Sequence, residues 1–142
     1  DETGYDHPDN SMLDLVLERR RGLPILLSVL YVEVARRADV ALAGVGLPGH
    51  FVAAHFGATP ALLLDPFNGG VLVDADPSAV VRPWTAQEIA MRMLNNLVRA
   101  FQLRGDLAAA IHAATMRLAL PADPALATTL QAEHRALQAK LN

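Results

Sequence analysis

Cysteine is absent from the 142-residue chain. That absence removes disulfides, thiolate metal ligands and thiol nucleophiles together. Lysine is nearly absent too: of 12 basic residues only Lys140 is lysine, and the rest are arginine. With the abundant alanine this reads as genome composition rather than mechanism. No basic excess exists either. The formal net charge is −3, which argues against a nucleic-acid partner, since such binders present a basic face. Long apolar runs are missing. The longest, from Leu23 to Tyr31 and on past Glu33 to Ala35, covers about 13 residues, too few to span a bilayer and enough for a buried core helix. No membrane partner is expected. No signal-peptide pattern is visible, so the expected location is cytoplasmic. The chain opens on Asp1 rather than methionine, which predicts that it is a piece of a longer protein.

What is present is globular in composition, 52% hydrophobic and 19% charged, in a length that suits one domain or one domain with a small appendage. Residues 1–10 are polar and read as a lead-in loop. Ser11 with Asp14 resembles a capping box, followed by a short apolar helix that Gly22 should end. Pro24 then sits where proline is tolerated, in the first turn of a second helix running to about Ala38. That helix is apolar nearly all round until Glu33 and should be central and buried. From Ala41 the pattern changes. "ALAGVGLPG", "HFVAAHF", "ALLLDPF" and "VLVDA", separated by "GATP" and "NGG", read as three or four short antiparallel strands. Helices return at the Thr85–Glu88 capping box. One carries Ile89, Met93, Leu94, Leu97, Val98 and Phe101 on one face. Asp106 is placed to cap Leu107–Leu120, and "PADP" precedes a last helix with Leu126, Leu130, Leu137 and Leu141 on one side. Segregated strands and helices predict an α+β fold, divided into residues 1–84 and a helical segment 85–142.

The chemistry candidates follow from these placements. His50 on one strand and Asp65 on the next are the two residue types of the orienting half of a hydrolytic triad. Register decides whether they meet. With His50 opposite Phe67 they are diagonal neighbours on one face; a slip of one sends them to opposite faces. The competing reading is that Asp65 only initiates the Asp-Pro turn while His50 bonds the backbone. A third member is harder to find. Pro24, at the helix start, has no reactive atom. Ser28 lies one turn further on and is the alternative nucleophile, although a serine inside a buried helix more often bonds back to the carbonyl four residues earlier. His50 and His55 are an odd number apart and point to opposite faces of a strand; His7, His112 and His134 are scattered. No metal site and no cofactor are expected. The Arg19–Arg21 run reads as a solvated helix end rather than an anion site. The C-terminal helices, with close-packing alanines at Ala110 and Ala114, fit either a helical-repeat module or a plain helical cap.

Three stretches resemble a family. "HPDNSMLDLVLERRRGLPILLSVLYVEVARR", "GVGLPGHFVAAH" and "LLLDPFNGG", in this order and spacing, are similar to the bacterial SirB-type proteins, which are transglutaminase-like domains followed by tetratricopeptide-like helices. A similar domain occurs in a eukaryotic F-box protein. The resemblance runs from about His7 to Leu120. It implies a papain-like core, a central buried helix packed on a small antiparallel sheet, followed by a helical-hairpin repeat segment. In active relatives a cysteine starts the central helix, a histidine starts one strand and an aspartate lies on the next. Carried over, these positions fall on Pro24, His50 and Asp65. The exchange of cysteine for Pro24 keeps the helix start and discards the nucleophile. The resemblance therefore implies a non-catalytic domain that binds a protein or peptide partner. The alternative is a serine-type amide or ester hydrolase using Ser28, His50 and Asp65. The apolar stripe of the last helix separately offers a face for another copy of the chain or for a missing repeat to cover.

Overall fold

A computed structural model describes residue 4, residues 6–74 and residues 80–141. The chain forms an α+β fold of two compact units. One spans Met12–Thr85; the other joins the segment ending at Ser11 to the chain from Ala86 onward.

In the Met12–Thr85 unit, α1 (Leu13–Arg19) and α2 (Pro24–Arg37) precede a four-stranded antiparallel sheet. Its strands β1 (Ala43–Leu47), β2 (His50–His55), β3 (Leu62–Asp65) and β4 (Val71–Val73) lie in sequence order. Pro24 is at the start of α2, where its missing N–H is not needed. The expected serine cap of α1 is replaced. Ser11 closes a 3-10 turn, Pro8–Ser11, and the residue before the helix is Met12, which makes no side-chain cap bond. Nor does Gly22 end α1. Arg20 takes the left-handed conformation there, at φ 53°.

Alternation along the strands divides the core into two layers. Val45, Val52, Ala54 and Leu63 pack together on one face, with Leu47, Val73 and Val81 against them. On the other face lie Phe51 and Ala53, and here α2 crosses: Leu64, the partner of Ala53, shares a groove with Tyr31, Val34 and Ala35 of α2. Beside β1 the chain returns, and the Trp84 N–H donates to the Gly44 carbonyl at 2.9 Å. The indole of Trp84 stacks edge-on to Phe51 at 5.4 Å and lies over Gly46, where a Cβ would stand 2.0 Å from Cζ2. Only a glycine admits that approach.

The expectation that α2 is buried all round holds for its first half only. Pro24, Ile25, Leu26 and Ser28 are buried, whereas Tyr31 is 42% and Val34 65% exposed. Short strands cover one end of a 14-residue helix and leave the other open. The exposed end carries its charges in one cluster, with Glu33 bonded to Arg36 and Arg37. Those two guanidinium groups hold the Glu33 carboxyl down at about 2.

The helical unit contains α3 (Ala86–Leu103), α4 (Leu107–Leu118) and α5 (Pro124–Ala139). Asp106 caps α4 by accepting from the Ala109 N–H, and Asp123 caps α5 by accepting from Ala125 and Leu126. Val98, Ala113, Ala114 and Leu137 form the shared core, the small alanines letting α4 sit close. Of the apolar side expected for the last helix, Leu130 and Leu137 are buried and Leu126 is exposed, while Leu141 lies past the end of α5 and is exposed. Among the described residues no helix is long and apolar enough to cross a membrane.

Candidate functional site

Gly49 has φ 70° and His50 opens β2 opposite Leu47. The β2–β3 ladder pairs Ala53 with Leu64 and His55 with Leu62. Continued to the strand start, this register sets His50 against Phe67, the condition under which His50 and Asp65 share a face. The rings of His50 and Phe67 are edge-on at 6.2 Å. His50 Nε2 lies 2.8 Å from Asp65 Oδ2.

Asp65 is 3% exposed. Its Oδ1 accepts from the main-chain N–H of Phe67 and of Asn68, at 3.0 and 3.3 Å. Its Oδ2 accepts from the Asn68 side-chain amide at 2.7 Å as well as from His50. Burial pushes the carboxyl up; the bonds from Asn68 and His50 outweigh it, and the net shift is downward from the ordinary 3.8. An ionised carboxylate only accepts, so His50 Nε2 carries the proton. That fixes the tautomer and leaves Nδ1 as the ring's basic pole. The two readings of Asp65 weighed from sequence turn out to be one. It caps the 3-10 turn Pro66–Asn68 with one oxygen and holds the imidazole with the other.

Asn68 was missed in the sequence. The signal was there in "DPFN": an aspartate followed by proline invites an Asx-type turn whose next N–H groups reach back to it. Gly70 completes the turn at φ 78°, and a Cβ there would meet the Tyr31 hydroxyl of α2 at 2.9 Å. The helix thereby braces the turn that holds Asp65.

Ser28 is placed where it cannot serve as a nucleophile. It is 0% exposed, and its hydroxyl donates to the Phe51 carbonyl at 3.2 Å. The bond runs to the neighbouring strand rather than to the carbonyl four residues back, because the helix packs directly on β2. A proton committed to a main-chain acceptor in a closed core is not available to a base, so the serine-hydrolase alternative loses its nucleophile. Pro24 is buried at the first turn of α2. Of the other histidines, His55 bonds the Ala41 carbonyl, and His134 lies against Thr115. Among the described residues no group of three His, Asp or Glu side chains is placed to hold a metal ion.

What the arrangement offers chemically is an oriented imidazole with a basic pole and an ionised, saturated partner behind it. Comparison with known proteins bears on the frame. The chain is 45% identical over 86 residues to a UPF0162 protein of Xylella fastidiosa, covering 60% of this chain and 31% of that one. A UPF0162 protein of Pseudomonas aeruginosa is 32% identical over 119 residues, 73% of this chain and 43% of that one. The chain thus spans less than half the length of these relatives. The mouse F-box only protein 21 matches at 44% over 48 residues, 34% of this chain and 8% of that one. No solved structure matches it significantly. The transglutaminase-like superfamily model matches residues 1–96, which include the whole sheet and the His50–Asp65 pair. With more than half of its length matched, the chain belongs to the transglutaminase-like superfamily.

Proposed function

We propose that this chain is a transglutaminase-like domain of the SirB type that has given up catalysis and serves to bind a protein or peptide. The observation that carries this reading is the proline at the start of α2. Pro24 stands at the position that the resemblance assigns to the nucleophile, in a chain without cysteine, while His50 and Asp65 keep a 2.8 Å bond. A base without a nucleophile can hold a ligand but cannot form a covalent intermediate with it. The three helices from Ala86 onward are the other support. Amphipathic helices joined by short capped breaks are the architecture of tetratricopeptide-like arrays, which present binding surfaces. A cytoplasmic location goes with this proposal.

An amide- and ester-hydrolysis screen on wild type, Ser28→Ala and His50→Ala tests it. No turnover, or turnover indifferent to both changes, is the expected result. Turnover abolished by His50→Ala in a folded protein would make the domain an enzyme. Capture from a lysate of its own cells is the complementary test, and failure to retain any reproducible protein would remove the binding half of the proposal.

A further inference from the structure

Arg117, near the end of α4, is an arginine in the wrong kind of place. It is 5% exposed. Its Nη1 donates to Asn95 Oδ1 of α3 at 2.9 Å. Glu133 of α5 brings Oε2 to 2.9 Å from Nη2. Yet among the described residues neither Nε nor Nη2 has a hydrogen-bond partner. The Glu133 carboxylate is near enough to balance the charge and not aligned to accept. Nε and Nη2 form the fork edge of a guanidinium, two parallel N–H groups that match two oxygens of a carboxylate or phosphate. Buried donors left unmade are costly, and native structures carry few of them.

A cavity of about 290 Å³ between α3, α4 and α5 has Arg117 in its lining, while Nε and Nη2 themselves are closed from water with the Glu133 carboxylate beside Nη2. Arg99 and Lys140 stand at its exposed rim, and Val98 and Leu137 give it an apolar wall. Three cations therefore meet two carboxylates, Glu133 beside Arg117 and Asp6 at 3.9 Å from Arg99 Nε, in a chain whose net charge is −3. The C-terminal ends of α3 and α5, at about half a charge each, offset the one positive charge left over, so the geometry of the Arg117 fork rather than net charge has to hold the anion. Glu133 is half-exposed at 50%, so it can turn out to water without opening the core.

We propose that this cavity binds an oxyanion, the carboxylate or phosphate group of a small ligand, on the Nε–Nη2 edge of Arg117, and that Glu133 is the internal carboxylate it displaces. Arg99 and Lys140 attract the anion, and the apolar wall takes whatever short alkyl part accompanies it. The site belongs to the helical unit and needs nothing from His50.

Calorimetric titration with sodium phosphate and, separately, with sodium butyrate at constant ionic strength tests this. Saturable one-site binding of at least one of them is expected; phosphate alone or butyrate alone identifies which oxyanion the site takes. Glu133→Gln removes the internal competitor and should tighten binding about threefold to tenfold. Arg117→Lys keeps a charge but loses the fork and should weaken it at least about tenfold. Lys140→Gln, at an exposed position, should weaken it about twofold. Should Arg117→Lys fail to fold, the other two variants still decide. Absence of saturable binding in both wild type and Glu133→Gln overturns the proposal. So does binding that no variant changes.

Discussion

Among the described residues two charged side chains are buried, and they are treated in opposite ways. Asp65 sits behind the sheet's His50 with both oxygens filled, by two main-chain N–H groups, one amide and one imidazole. Arg117 sits among the helices with one firm bond, to Asn95, an ion pair to Glu133, and no aligned acceptor for Nε or Nη2. The difference teaches which site is finished. A saturated carboxylate has no capacity left for a ligand; its work is to hold the turn and the ring. An unsaturated guanidinium beside a cavity has capacity to spare. The turn around Asp65 is thus the closed network of the two, and the helical unit carries the more demanding polar group.

The contrast can be broken most directly at Asp65. Asp65→Ala removes the acceptor of four donors, carried by exposed Phe67 and Asn68 and by partly exposed His50, and should cost about 1–3 kcal/mol in urea unfolding. A cost under about 1 kcal/mol would mean that the network stabilises little. The same carboxylate should also govern acid stability. Its folded-state pKa lies below the ordinary 3.8, so its stabilisation is complete above that value and is lost as pH falls through the lower folded value. Asp65→Asn should flatten that acid limb. An unchanged limb would assign acid unfolding to other carboxylates.

Arg117→Met should be milder, about 1 kcal/mol or less, because Asn95 and Glu133 can turn to water once the arginine is gone. If it instead matches Asp65→Ala, the arginine is a structural tie equal to the aspartate and the comparison fails. Pro24→Ala should change least, within about 1 kcal/mol, since a proline at a helix start contributes mainly by restricting the unfolded chain. A loss of several would show that the proline ring itself is part of the core.

Much of this was legible in the sequence, for local reasons. Pro24 opens a helix, Asp106 caps one, and "PADP" and "NGG" break the chain, because each needs only its neighbours. The His50–Asp65 pair was legible as a candidate but not as a contact. Register depends on β2 and β3 meeting, and the alternation of "HFVAAHF" permits either slip. Arg117 was invisible for a related reason. Beside a buried alanine face, an arginine on α4 looks solvated, and only α3 and α5 arriving from either side bury it. The half-exposed α2 went wrong similarly: nothing in "LPILLSVLYVEVA" tells how far a short sheet will reach along it.

The proposed function rests on Pro24 standing where a thiol nucleophile would meet the His50–Asp65 pair. Pro24→Cys tests it directly, by the pH dependence of iodoacetamide alkylation with and without His50→Ala. The account predicts a thiol ionising well below the ordinary value of about 8.5 and returning toward it when His50 is removed. An ordinary thiol, indifferent to His50, would contradict the placement of Pro24 at the nucleophile's position.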